Sequence, residues 1–145
     1  YIITTFGVFA IVLNLRSTER EIVKISDLNG LRFTSRPKAI SMLVFLFSLA
    51  GILPFAGFFA KFFVLSASIN EGFYVLSVIA VLSSVIAAFY YLSVIKNMFF
   101  NESKVDLLLD NNRTGSLVFI IAAILVTLFF FYPDPLINLV DNLFN

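Results

Sequence analysis

Four long apolar runs, separated by polar stretches, organise this chain: Tyr1 to Leu15, Ala39 to Ser68, Phe73 to about Phe100, and Leu117 to Tyr132. Crossing a hydrocarbon core of about 30 Å takes a helix of about 20 residues. The pattern therefore predicts an all-α, polytopic transmembrane bundle of about four helices, over about 1–15, 38–68, 72–100 and 115–132. The second and third runs are longer than a crossing requires, so they can tilt, project beyond the core or contain a break.

The polar stretches supply loops at 16–37 and 101–114. Thr18 and Glu21 have the spacing of a capping box, which predicts a short interfacial helix in the first loop. Asn29-Gly30 is a turn signal, and Pro37 suits the first turn of the next helix. "NEG" at 70–72 predicts a tight turn, and Asp106 and Asp110 flanking three leucines predict an amphipathic surface turn. Beyond Tyr132, "PDP" stops the fourth helix and a short amphipathic tail follows.

Composition strengthens the membrane reading. The 145 residues are 60% hydrophobic and only 13% charged, with a mean hydropathy of +1.00, whereas a soluble domain is about half apolar and a quarter charged. Cys and His are absent, which removes thiolate and imidazole metal sites, iron–sulfur ligation and Cys or His nucleophiles. No Gly-rich phosphate loop occurs. Residue 1 falls inside an apolar run with no initiator methionine, so the chain is expected to be a piece of something larger. Ile, Phe, Asn, Lys and Tyr, all with A/T-rich codons, exceed a third of the residues, as expected of an organellar or similarly biased genome.

Nine of the ten Lys and Arg lie in the 16–38 and 96–113 stretches. The opposite side carries Glu71, Asp134 and Asp141, and of the loop acids Glu19, Glu21 and Asp27 alternate with bases as solvated groups would. By the positive-inside rule the two basic loops face the cytoplasm or mitochondrial matrix.

The tenth basic residue is Lys61, in "GILPFAGFFAKFF", with no acidic residue within nine positions on either side. A lysine near mid-membrane costs at least about 2.5–3.5 kcal/mol. Pro54 removes a donor and clashes with the carbonyl of Ala50, while Gly51 and Gly57 ease an irregular backbone. The residues leave two readings: a packed kink with a snorkelling lysine, or a broken helix around Gly51–Gly57 with a buried, water-linked Lys61. On the third helix, Ser77, Ala80, Ser84, Ala87 and Tyr91 share a narrow face. Together with Ser48 and Ser83, it reads either as a polar lining or as a helix-packing surface.

"SDLNGL", the helix opened by Pro37, "FSLAGILPFAGFFAKFFV" and "VIAVLSSVIAAFYYLSVIKNMFF" resemble the C-terminal part of the subunit 2 family of NADH dehydrogenase (ubiquinone), antiporter-like membrane subunits of proton-pumping respiratory complex I. The likeness runs from about Ser26 to Phe100, and "TTFGVFAIVL" fits the preceding helix, whereas the fourth helix agrees only in character. Leu53 stands where many members carry a second proline. The resemblance implies a discontinuous helix whose lysine, Lys61, belongs to a proton-translocation path. It implies no redox centre and no metal in this chain, with NADH, FMN, iron–sulfur clusters and ubiquinone handled by the complex as a whole. Expected partners are other complex I membrane subunits, above all neighbouring antiporter-like ones and a chain carrying the earlier helices. The expected location is the mitochondrial inner membrane, with a bacterial inner membrane as the alternative. Two other functions stay open: a fragment of a multisubunit cation/proton antiporter, or a purely structural membrane segment.

Overall fold

The computed structural model describes residues 1–17, 24–102, 107–109 and 113–131. Among them six α-helices account for most of the chain: α1 (Ile2–Leu13), α2 (Leu31–Thr34), α3 (Arg36–Ala50), α4 (Ala56–Asn70), α5 (Tyr74–Phe100) and α6 (Arg113–Phe131). A 3-10 turn, Ile25–Leu28, precedes α2. Two short strands, β1 (Leu15–Ser17) and β2 (Leu107–Leu109), pair antiparallel with Leu15 opposite Leu109.

Helices stand over each of the four apolar runs, and the second run holds two of them, α3 and α4, with a break between. Pro37 lies in the first turn of α3, where its missing N–H leaves no hydrogen bond unmade. Helix α3 ends at Ala50 because Gly51 turns left-handed, with φ of +80°, a conformation that costs other residues about 1–2 kcal/mol. The N–H of Ile52 then donates to Phe47 O at 3.1 Å and that of Gly51 to Ser48 O at 3.0 Å, the two bonds of a Schellman cap. Five residues later the chain re-enters a helix as α4. Gly72, φ +80°, makes the tight turn into α5.

Only α5, at 27 residues, is long and apolar enough to cross a membrane alone, among the described residues. At 1.5 Å per residue it spans about 40 Å, more than a hydrocarbon core, so it can tilt or project. Helices α3 and α4, 15 residues each, reach about 22 Å apiece and can cross only as a pair.

Helix α3 is the centre of the bundle, packed against α1, α2, α4, α5 and α6. Its residues Ala39, Met42, Phe45 and Leu46 meet Ile11 of α1, Ile95 and Met98 of α5, and Phe119, Ala123 and Val126 of α6 in one apolar core. The outward faces of α1 and α5 stay apolar and exposed, as at Phe6, Phe9, Val78, Val85 and Phe89.

Three expectations about the loops change. Leu107–Leu109 is not a helical surface turn but a strand, because its backbone finds ladder partners on β1. Asp27 is not solvated: it is buried, and its carboxylate accepts the Lys24 N–H at 2.9 Å, capping the 3-10 turn. Lys38, counted with the basic loop, is only 1% exposed. The interfacial helix expected at Thr18 to Glu21 and the tail after Tyr132 lie outside the described residues.

Gly57 is where the broken halves touch: a Cβ there would lie 1.7 Å from the backbone oxygen of Ser48. Because that oxygen belongs to a buried helix end, the two half-helices would have to separate. Gly57→Ala is expected to cost about 1–3 kcal/mol, as overpacking does, read as a lower unfolding midpoint of the purified chain in mixed micelles titrated with a denaturing detergent.

Candidate functional site: a lysine at a broken helix

The break exposes two kinds of backbone group, and the structure answers each with a side chain. Ala50 O would ordinarily accept from the residue four positions on, which is Pro54 and has no N–H. The Lys61 ammonium takes that place, donating to Ala50 O at 2.8 Å. The N–H of Gly57, in the first turn of α4, donates to Ser48 Oγ at 3.1 Å. Ser48 sits in the last turn of α3 and is 1% exposed, so a residue of one half-helix caps the other.

Lys61 lies on the second turn of α4 and reaches back across the break. Its Nζ also donates to Ser84 Oγ on α5 at 2.8 Å. The cation thus rests on the carbonyl end of α3, where the helix dipole favours positive charge. Gly51 makes room for it: a Cβ at Gly51 would lie 2.8 Å from Lys61 Cδ. Lys61 is half-buried, and its aliphatic stem crosses the break to a polar end.

The serines of α5 separate into different roles. Ser84 faces α4 and Lys61. Ser77 is buried, its hydroxyl 2.9 Å from Ser68 Oγ of α4 and 3.0 Å from Phe73 O. Ser83 is exposed and donates to Ile79 O of its own helix at 2.8 Å, so it does not join Ser77 and Ser84 in a line. Tyr91, one further step along the face, is half-buried against the apolar core. Ala80 points outward. The face thus serves packing and polar contact in alternation. Gly51, Pro54, Gly57, Ser48, Lys61 and Ser84 come together at the break; Ser77 lies toward the 70–72 turn, Tyr91 toward the opposite end, and Ser83 outside.

A second buried lysine was not anticipated. Lys38 Nζ donates to Asn14 Oδ1 at 2.6 Å, joining the start of α3 to the end of α1. The signal was present: Lys38 precedes Ser41, Met42 and Phe45 by three, four and seven positions, which is the buried face of α3. Adjacent Arg36 and Pro37 made it read as loop. Among the described residues no cluster of three or more acidic side chains could hold a metal ion.

Residues 1–87 match the family model described as NADH:quinone oxidoreductase/Mrp antiporter, TM, and the chain belongs to that family. It is 42% identical over 138 residues to the NADH-quinone oxidoreductase subunit N of Rhodospirillum rubrum, covering 95% of this chain and 28% of that protein. It is 39% identical over 144 residues to the NADH-ubiquinone oxidoreductase chain 2 of Oenothera berteroana, covering 99% of this chain and 29% of the relative. A chain in the structure titled respiratory complex I from Thermus thermophilus with bound aureothin superposes with a TM-score of 0.82 at 22% identity, over 92% of this chain and 30% of the other. The last likeness concerns fold alone. The chain spans about three tenths of the length of these relatives.

Loss of the α5 contact should free the Lys61 amine. Ser84→Ala is expected to raise the rate of acylation at Lys61 about tenfold, the equivalent of one hydrogen bond to a charged group, as mapped by peptide mass spectrometry. Ser83→Ala, on the same helix but facing away, should leave that rate unchanged.

Proposed function

We propose that this chain is the C-terminal portion of a subunit N/chain 2 of proton-pumping NADH:quinone oxidoreductase, and that Lys61 is a proton carrier within its membrane arm. The observation that carries the reading is the pair of bonds from Lys61 Nζ to Ala50 O and Ser84 Oγ, each 2.8 Å. It puts a titratable amine where helix breakage has created backbone polarity inside an apolar bundle. Such irregular backbone is tolerated at membrane depth only where protein or water satisfies it, and half-helix ends of this kind bind ions in transporters.

In this reading the α3–α4 pair and α5 cross the membrane, the shorter apolar stretches of α1 and α6 lie against α3 within it, and both basic loops are on the matrix or cytoplasmic side. Lys61 gives up a proton when a neighbouring positive charge approaches and recovers it when the charge withdraws. The Ala50 carbonyl and Ser84 hydroxyl hold the amine in place in either state, the hydroxyl turning to donate when the amine is neutral. Redox chemistry with NADH, FMN, iron–sulfur clusters and quinone belongs to other subunits of the complex. The chain matches named complex I subunits over nearly its full length, which favours this assembly over a free-standing antiporter. The plant relatives of Oenothera and Marchantia carry the ubiquinone-type name, in keeping with a mitochondrial inner membrane.

The test uses assembled complex reconstituted in vesicles. Lys61→Ala is expected to lower proton translocation through this subunit on the order of tenfold or more, as loss of a positioned proton carrier does. Lys61→Arg keeps the charge but cannot release its proton, so it should not restore translocation. Unchanged protons per NADH in both variants would make Lys61 structural; rescue by arginine would make it a fixed charge; cation exchange without NADH would place the chain in an antiporter.

A further inference from the structure

A cavity at the opposite end of α3 from the break has its own chemistry. Its volume is about 410 Å³, and it is lined by Arg32, Phe33, Arg36, Ala39, Ile40 and Phe99. It lies between α2, the first turns of α3 and the last turn of α5. Both arginines are exposed. Arg32 is laid over the Phe33 ring, its guanidinium carbon 4.3 Å from the centroid, which holds it at the cavity mouth without neutralising it. The nearest acid in sequence, Asp27, is buried and accepts from the Lys24 backbone instead. Neither Arg32 nor Arg36 is ion-paired with a carboxylate of the described residues.

We propose that this cavity binds one anionic phospholipid, its phosphate held by Arg32 and Arg36 and an acyl chain laid along Ile40 and Phe99. Two guanidiniums lining one cavity, one from α2 and one from the start of α3, can fork a phosphate between them. The remaining wall decides the source of that phosphate. Phe33 and Ile40 are 68% and 57% exposed, and a soluble anion would leave them wet, whereas a lipid covers them and neutralises the arginines together. The place in the chain also suits a lipid: Phe99 of the cavity wall lies at the end of apolar α5, a few residues after Lys96 and Asn97, the kind of apolar-to-polar boundary found at headgroup level. Basic pockets between membrane helices on the positively charged side take anionic headgroups in this manner. The proposal is independent of Lys61.

The test begins with lipid extracted from the detergent-purified chain. Wild type should retain anionic phospholipid, and Arg32→Gln with Arg36→Gln should lose it. Both arginines are exposed, so folding is not at stake. Affinity is then read by fluorescence. The chain has no tryptophan, so Ile40→Trp gives a single reporter on the cavity wall. In phosphatidylcholine vesicles, dibrominated phosphatidylglycerol should quench it at a mole fraction on the order of tenfold lower than dibrominated phosphatidylcholine. Arg32→Gln with Arg36→Gln should abolish that preference, while Arg32→Lys with Arg36→Lys keeps most of it. Equal quenching by the two lipids, or a preference surviving in the double glutamine variant, would overturn the proposal. Relief of quenching by inorganic phosphate would overturn it in favour of a soluble anion. Lys61→Ala should leave every lipid reading unchanged, which separates this proposal from the proton-carrier reading.

Discussion

Everything around Lys61 depends on one constraint: a backbone group freed inside hydrocarbon must find a partner in the protein or in trapped water. Pro54 leaves Ala50 O without its helical donor, and the restart at α4 leaves Gly57 N–H without an acceptor. The sequence places Lys61 and Ser48 so that each answers one of these groups, at 2.8 Å and 3.1 Å. The exchange binds the halves crosswise, since α3 supplies the cap for α4 and α4 supplies the donor for α3. Gly51 and Gly57 then follow as necessities, because a Cβ at either would strike the partner that completes the arrangement.

The same crossing explains why α3 forms the core. Its end is fixed by a side chain of α4 as well as by apolar contact, and α1, α5 and α6 lean on it. Its beginning is tied too, by Lys38 on Asn14. A short helix held at both ends by polar bonds and along its length by Met42, Phe45 and Leu46 offers a rigid support for the Lys61 side chain. By contrast α5 buries a single narrow face, with Ser77, Ile95 and Met98 inside and most large side chains outside.

Helix boundaries were legible in the sequence wherever a residue forced them. Pro37, Asn29-Gly30, Gly72 and the Gly51–Gly57 break each carry a conformational demand that no neighbour can override. The character of the break was not legible from the residues alone, because a kink and a rupture present the same proline; it was the resemblance that implied a discontinuous helix. What distinguishes them is the spatial meeting of Lys61 with Ala50 and Ser84, residues 11 and 23 positions away. Within the serines, spacing alone could not separate Ser83 from Ser84. One residue along a helix turns a side chain by about 100°, and only packing shows which of the two faces inward. Lys38 and Asp27 were misplaced because charge near a loop signals solvent unless helical periodicity or a local cap is weighed against it.

The pairing of β1 with β2 is small, three residues on each strand, but it is a statement of parity. Two segments that share hydrogen bonds must lie on the same face of a bilayer, so the chain between residue 17 and residue 107 crosses an even number of times. In the proposed threading the broken pair α3–α4 counts as one passage and α5 as the return. A variant that made α3 and α4 each traverse separately, or that stranded α4 as a re-entrant hairpin, could not close this ribbon. The ribbon therefore acts as a tie across the chain, joining the segment just after α1 to the segment between α5 and α6.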